Sequence, residues 1–224
     1  MKRIAPANET EIIARFLRGE YYQKEYHSDR YRYESIVMNP NLSDDGENET
    51  RRELLFRRHR ITWKLLPADT SWHKVELESE DFERIRVFPR GHWPKLGAPS
   101  LAVCDVAKNI RNRRLSGEAA EDVSAIHAIA YRLQREPDYT SILLIGLDET
   151  QPLTILEGNH RMIAAALPLT KSVPTFSVYA GFSPLMTECL WYEASKENML
   201  RYAYRRLLNF QPNFVRCLKQ RWAS

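Results

Sequence analysis

Two short apolar runs near the middle of the chain constrain the fold more than any other feature. The runs are Ser141–Gly146 and Leu153–Leu156, and the turn-forming segment Asp148–Pro152 separates them. A continuous apolar run of about four to eight residues bounded by turn formers is typical of a buried strand. The sequence therefore predicts two neighbouring buried strands here, inside a small sheet.

The rest of the chain predicts further strands and several helices. Alternating apolar and polar residues predict strands at Trp72–Leu77, Ile85–Phe88 and Thr175–Tyr179. Helical spacing of apolar residues predicts helices within Glu9–Tyr33, Leu101–Arg111, Glu121–Arg135, Met186–Leu208 and Asn209–Ser224. Asn39–Asn48 and Arg90–Ser100 are rich in turn formers and predict loops. The mixture indicates an α+β fold, with a small mixed sheet and helices.

The segment directly after the second buried strand carries the chemistry. Glu157-Gly158-Asn159-His160-Arg161 leaves a strand and enters a helix, whose first N–H groups lack partners within the helix. Gly158 permits a sharp turn, and Asn159 is a good helix N-cap. His160 and Arg161 can donate to phosphate oxygens. We therefore interpret the turn as an anion site, and the alternative is an ordinary helix start with a structural histidine.

The same residues resemble a known family. Leu156–Ala165, followed by the Val-Pro strand Val173–Phe176, is similar to the core motif of the ParB/sulfiredoxin superfamily. The resemblance covers about Arg84 to Ala180 and leaves a helical insertion at Gly117–Glu136. It implies three parts: an N-terminal extension at residues 1–83, a nucleotide-binding core at 84–182, and a helical C-terminal extension at 183–224.

The resemblance implies nucleotide binding at the turn. Asn159 stands where sulfiredoxins have their catalytic cysteine, so sulfinic-acid reduction is not expected. The region from Trp191 to Leu208 is too short and too aromatic for the DNA-binding domain of partitioning proteins. Glu157 matches the acidic residue of the free-serine kinases. The resemblance therefore favours a phosphotransferase or nucleotide hydrolase that uses ATP or ADP with Mg²⁺ and acts on a small-molecule acceptor.

Specific roles follow for the candidate residues. Gly158, Asn159, His160 and Arg161 would hold phosphates, while Glu157 would act as a general base or contact Mg²⁺, with His160 as a second catalytic group. A second wall is expected from the loop at Arg90–Ser100. Its candidate residues are Arg90, His92, Trp93, Lys95 and Ser100. Each of them is equally open to an ordinary loop role, and Ser100 to the role of a helix cap.

Charge leaves two alternative functions open. The net charge is +4 and the pI is about 8.9, well short of a dedicated nucleic-acid binder. Arg51–Arg60 nevertheless contains five arginines, which keeps a nucleic-acid-binding or nuclease module as the second hypothesis. The structural interpretation of this run is a solvated face. A non-catalytic nucleotide-sensing protein is the third hypothesis.

The remaining features predict a soluble, cytoplasmic protein. Cys104, Cys189 and Cys217 are widely spaced and form no zinc-ligand pattern, so we expect reduced thiols. The N-terminus lacks the apolar core of a signal peptide. No run approaches the roughly 18 apolar residues of a membrane span, so no membrane partner is expected.

Overall fold

A computed structural model describes residues 1–28, 30–89, 91, 93–97, 100–112, 118–135, 140–168 and 177–207. The strands are β1 Lys2–Ala7, β2 Ser71–Glu76, β3 Ile85–Arg86, β4 Ser141–Gly146, β5 Leu153–Glu157 and β6 Ser177–Phe182. The helices are α1 Glu9–Glu20, α2 Arg30–Met38, α3 Asp45–Lys64, α4 Trp93–Gly97, α5 Val103–Asn112, α6 Glu118–Leu133, α7 Asn159–Ala166 and α8 at 196–207. Short 3₁₀ turns lie at Lys24–Tyr26, Ser79–Glu83 and Met186–Glu188.

The six described strands form one mixed sheet in the order β1-β2-β6-β4-β5-β3. The pairs β1–β2, β2–β6 and β4–β5 are antiparallel, whereas β4–β6 and β3–β5 are parallel. This confirms the α+β class and the mixed sheet. Residues 1–83 supply β1, β2 and the 3₁₀ turn before β3 as well as helices α1 to α3; the sequence predicts the strand at Trp72–Leu77, whereas it does not predict β1.

The central strand β4 explains why its sequence is continuously apolar. Ile142 and Leu144 lie in a core that includes residues of α5, α6 and α7, whereas Leu143 and Ile145 lie in a second core with residues of α1 and α3. Neighbouring side chains of a strand point to opposite faces. Both faces of β4 are therefore covered by helices, as in other doubly covered strands.

Helix α1 forms where its periodicity predicts it. Ile12, Ile13, Phe16 and Leu17 are buried on one face. Asn8 caps the helix, because its side chain accepts a hydrogen bond from the Glu11 N–H at 2.8 Å. The helix packs on β4 and α3. Its last turn therefore ends close to the turn that follows β5.

Several predicted boundaries differ from the structure. The predicted loop Asn39–Asn48 is shorter than expected because Asp44 caps α3 and Asp45 begins it. The predicted loop Arg90–Ser100 contains α4. The predicted helix Met186–Leu208 is instead a 3₁₀ turn followed by α8, with an irregular segment before Lys196. Asn209–Ser224 and Val173–Phe176 lie outside the described residues.

Candidate functional site

Gly158 forms the turn between β5 and α7, and its conformation requires glycine. Its φ is +99°, in the left-handed region, and a Cβ atom there would lie 2.6 Å from Ile142 Cδ1. The predicted strand, glycine turn and helix are therefore confirmed. The predicted cap is wrong by one residue, since Gly158 occupies the N-cap position and Asn159 is the first helical residue.

Asn159 ties the turn to the segment after β3. Its side-chain Oδ1 accepts a hydrogen bond from the backbone N–H of Phe88 at 2.9 Å. This contact links residues 71 positions apart in the sequence. The Asn159 oxygen therefore has a structural partner, and the predicted phosphate contact is left to other groups of this residue.

Glu157, the last residue of β5, and Arg161, in the first turn of α7, form a buried ion pair. The guanidinium Nη2 donates to Glu157 Oε2 and, at 3.1 Å, to the backbone carbonyl of Ser141 at the start of β4. Both residues are less than a tenth exposed. Arg161 therefore fixes the carboxylate against the sheet, in addition to the predicted role of binding phosphate.

Helix α1 brings a second carboxyl group to this pair. A Cβ atom on Gly19 would lie 2.7 Å from Glu157 Oε1, so the absence of a side chain lets α1 approach closely. Glu20, the next residue, hydrogen-bonds to the Glu157 carboxyl. Burial raises the pKa of Glu157 to about 8, a shift that Arg161 opposes and Glu20 reinforces. Two carboxyl groups beside one buried guanidinium are balanced in charge when they share one proton.

His160 lies beside the pair and contacts two other elements. Its Nε2 is 3.1 Å from Asp122 Oδ1 on α6, and its ring packs edge-on against Trp93 of α4 at 4.8 Å between centroids. The side chain is 38% exposed, so a ligand can reach it. A carboxylate that hydrogen-bonds one ring nitrogen orients an imidazole for proton transfer.

These residues line one cleft of about 630 Å³. The turn at Gly158–Arg161 forms its floor, and α1, α4 and α6 contribute walls. The other residues that line it are Arg18, Gly19, Glu20, Tyr22, Gln23, Met38, Trp93, Ala125, Ile129, Arg132, Thr140, Leu156 and Glu157. The volume suits a small organic ligand. Arg18 and Arg132 add positive charge to its lining.

Of the residues predicted to form a second wall, Trp93, Lys95 and Ser100 are described, and one of these three lines the cleft. Trp93 lines the cleft, whereas Lys95 is exposed and does not line it. Ser100 does not line the cleft either. Its hydroxyl group contacts Asp105 and accepts a hydrogen bond from the Ala102 N–H at 3.1 Å. Arg90 and His92 lie outside the described residues.

The predicted metal role of Glu157 has limited local support. Within the described parts of the chain, no group of three or more His, Cys, Asp or Glu side chains is placed to hold a metal ion. The Glu20 and Glu157 carboxyls supply two acidic groups. Mg²⁺ often takes one or two protein carboxylates and completes its shell with water and phosphate.

The arginine cluster at Arg51–Arg60 does not form a single solvated face. Arg51 is fully buried, and its guanidinium donates to the carbonyls of Ile36 and Asn41 at 3.0 Å. Arg52 pairs with Glu9 on α1. Only the later arginines of this run are exposed. The uniform surface interpretation is therefore wrong for Arg51, which stabilises the connection between α2 and α3.

Sequence reasoning missed three cleft residues, Arg18, Glu20 and Arg132, and it also missed Asp122, the partner of His160. They lie on α1 and α6, far in sequence from the turn, and no local motif marks them. Gly19 was the available signal, because a glycine inside a helical pattern often marks close packing.

Comparisons with protein-family models, curated proteins and solved structures gave no significant match. Among the described residues, no helix is both long and apolar enough to cross a membrane.

Proposed function

We propose that the chain binds a nucleotide of the ATP or ADP type in this cleft, and that it transfers a phosphoryl group to a small molecule or hydrolyses the nucleotide. One observation carries the proposal. A helix N-terminus with a glycine turn, three arginines and a buried acidic group all line a single cleft of about 630 Å³. The resemblance of Leu156–Ala165 to the ParB/sulfiredoxin superfamily supports the same assignment and a core of that type.

The phosphates would bind at the Gly158 end of the cleft. The first N–H groups of α7 have no partners within the helix, and the helix dipole adds positive potential there. Arg18 on α1 and Arg132 on α6 supply full positive charges to the lining of the cleft. Arg161 supports the site, because its hydrogen bond to the Ser141 carbonyl holds the start of β4 against the turn. This combination favours a ligand with several negative charges.

Glu157 would handle the proton of the reaction. When an acceptor hydroxyl or water attacks the terminal phosphorus atom, the bond from phosphorus to the bridging oxygen breaks and the shorter nucleotide leaves. The proton of the attacking group passes to the ionised Glu157 carboxylate. Because burial and Glu20 raise the pKa of Glu157, the ionised fraction grows as the pH rises towards 8. Turnover should rise over the same range.

The donor atoms of the residues in the cleft suit Mg²⁺, which prefers oxygen ligands. Glu20 and Glu157 offer carboxylate oxygens at the cleft, and phosphate oxygens of the ligand would complete the set. When bound, Mg²⁺ would neutralise charge on the phosphates. The protein side chains would still position the ligand and transfer the proton. Asp122 would hold the His160 ring in place through its contact with Nε2.

The test is thermal unfolding with ATP, ADP, CTP, GTP and pyrophosphate, with and without Mg²⁺. A ligand at a hundredfold excess over its Kd adds about 2.7 kcal/mol to the free energy of unfolding. The Arg18→Gln/Arg132→Gln variant should lose this shift, because both residues line the cleft. The Lys108→Gln/Arg135→Gln variant, which removes two exposed positive charges outside the cleft, is the matched control and should keep the shift.

Turnover is measured separately by ³¹P NMR of the nucleotide. Glu157→Gln should bind the nucleotide and release no product. Binding without turnover in the wild-type protein would favour the nucleotide-sensing alternative. No shift with any nucleotide would overturn the proposal and leave the turn as a structural start of α7.

A further inference from the structure

Helix α2 and the second half of α3 present a basic face outside the cleft. Arg32 and Arg57 come from different helices, yet both guanidinium groups lie over the ring of Tyr33, at 5.0 Å and 5.9 Å from its centroid. The two helices therefore bring their arginines together. Arg32, Arg57 and Arg58 are all exposed.

Tyrosines are interleaved with these arginines. Tyr31 is 97% exposed on α2, although a tyrosine normally buries much of its ring. Tyr22 is 53% exposed, and the guanidinium of Arg30 lies 5.6 Å from its ring centroid. Tyr22 lines the cleft. We call the group of Arg30, Tyr31, Arg32, Tyr33, Arg57 and Arg58 the basic tyrosine face.

Within α2 and α3, the acidic residues nearest in sequence to these arginines are Glu34 and Glu53. Glu34 accepts a hydrogen bond from the Tyr22 hydroxyl at 2.9 Å. In α3, Glu53 is the last acidic residue, and the run from Phe56 to Lys64 contains none. The face is therefore positive over the second half of α3. Arg51 and Arg52 do not belong to it, because the first is buried and the second pairs with Glu9.

We propose that the basic tyrosine face binds single-stranded nucleic acid, a function separate from the proposed nucleotide site. Guanidinium groups attract the phosphate backbone, and exposed aromatic rings stack on bases whatever their sequence. The exposed Tyr31 ring distinguishes this ligand from an acidic protein, which offers no bases to stack. An anionic membrane surface would favour long aliphatic side chains or tryptophan on such a helix, and α2 presents tyrosine and arginine instead.

The experiment is fluorescence anisotropy of the full chain with labelled 20-nucleotide single strands of DNA and RNA, at 50 to 300 mM KCl. Each phosphate contact lowers the slope of log K against log salt by about 0.7 for a single strand. With three or four arginine contacts, the expected slope is about −2 to −3.

Two variants with equal net charge test the location. The Arg32→Gln/Arg57→Gln/Arg58→Gln variant should bind at least tenfold more weakly at 50 mM KCl, with a slope closer to zero by about 2. The control variant, Arg86→Gln/Lys108→Gln/Arg135→Gln, removes three positive charges at exposed positions outside the basic tyrosine face. The control should change the affinity less than threefold.

Tyr31→Ala tests stacking. It should weaken binding about fivefold or more and leave the salt slope unchanged, because it removes a ring and no charge. An unchanged affinity in Tyr31→Ala, or equal competition by polyglutamate, would overturn nucleic acid as the ligand. Binding to phosphatidylserine vesicles with none to oligonucleotides would do the same. Equal losses in the two triple variants would show non-specific attraction and would also refute the proposal.

Discussion

Replacing Glu157 with glutamine should make the stability of the protein less dependent on pH. The carboxyl group lies against Arg161 and Glu20, and its burial raises its pKa to about 8, compared with 4.5 for an unperturbed glutamate. A carboxyl with a raised pKa in the folded state favours folding when it is protonated. That contribution is complete below the unfolded pKa and is lost as the pH rises from about 4.5 to about 8.

The magnitude follows from proton linkage. In this range the unfolded chain has released a proton that the folded chain retains, so stability changes by about 1.4 kcal/mol per pH unit. Between pH 5.5 and 7.5 the wild-type protein should lose about 2–3 kcal/mol relative to Glu157→Gln. Glutamine resembles the protonated carboxyl and does not titrate, so the wild type should already be about 1.4 kcal/mol less stable at pH 5.5 than it is, relative to Glu157→Gln, below pH 4.5.

The assay is urea unfolding of both proteins at pH 5.5, 6.5 and 7.5, with the difference in the free energy of unfolding taken at each pH. Other titrating groups cancel in this difference. Glu20→Gln removes the group that reinforces the shift, so its own stability should depend less on pH than that of the wild type. A constant difference between the wild type and Glu157→Gln would refute the reasoning, because it would mean that Arg161 keeps Glu157 ionised throughout.

Two further substitutions test packing, one at the connection between α2 and α3 and one beside the Glu157 carboxyl. Arg51→Ala should reduce the free energy of unfolding by about 3–5 kcal/mol in urea and leave ligand binding at the cleft unchanged, because it removes a buried guanidinium that contacts Ile36 and Asn41; a loss below about 1 kcal/mol would contradict this. Gly19→Ala should cost about 1–3 kcal/mol, since the new Cβ would lie 2.7 Å from Glu157 Oε1. Gly46→Ala, where the nearest contact is 3.3 Å, is its control, and equal losses in the two would argue against a close approach of α1.

Features that depend on neighbouring residues could be predicted from the sequence. The apolar runs of β4 and β5 are recognisable because both faces of these strands are buried. The apolar spacing of α1 is recognisable because one helix face carries Ile12, Ile13, Phe16 and Leu17. Gly158 was identified because the change from strand to helix requires an unusual backbone angle there. Each of these signals lies within one element or one turn.

Features that depend on distant contacts could not be predicted in the same way. The Asn159 side chain bonds to Phe88 and so does not cap α7, and no local pattern distinguishes these two roles. Glu20 reaches Glu157 only because Gly19 allows α1 to pack closely against the ion pair. No sequence pattern distinguishes Asp122 from other acidic helix residues, and only the fold places it beside His160. Their roles arise from packing between elements.

Arg51 and Arg161 are both buried, but for different reasons, and the difference supports the location of the site. Arg51 contacts the connection between α2 and α3 and the side chain of Glu47 one turn earlier, so its charge serves a local structure. Arg161 instead faces a carboxyl whose second neighbour is another carboxyl, and all three groups line a cleft. A buried ion pair is weak evidence for stability, since apolar residues of similar size often stabilise as well. Crowding two acids beside one cation at a cleft is therefore better explained by chemistry than by folding.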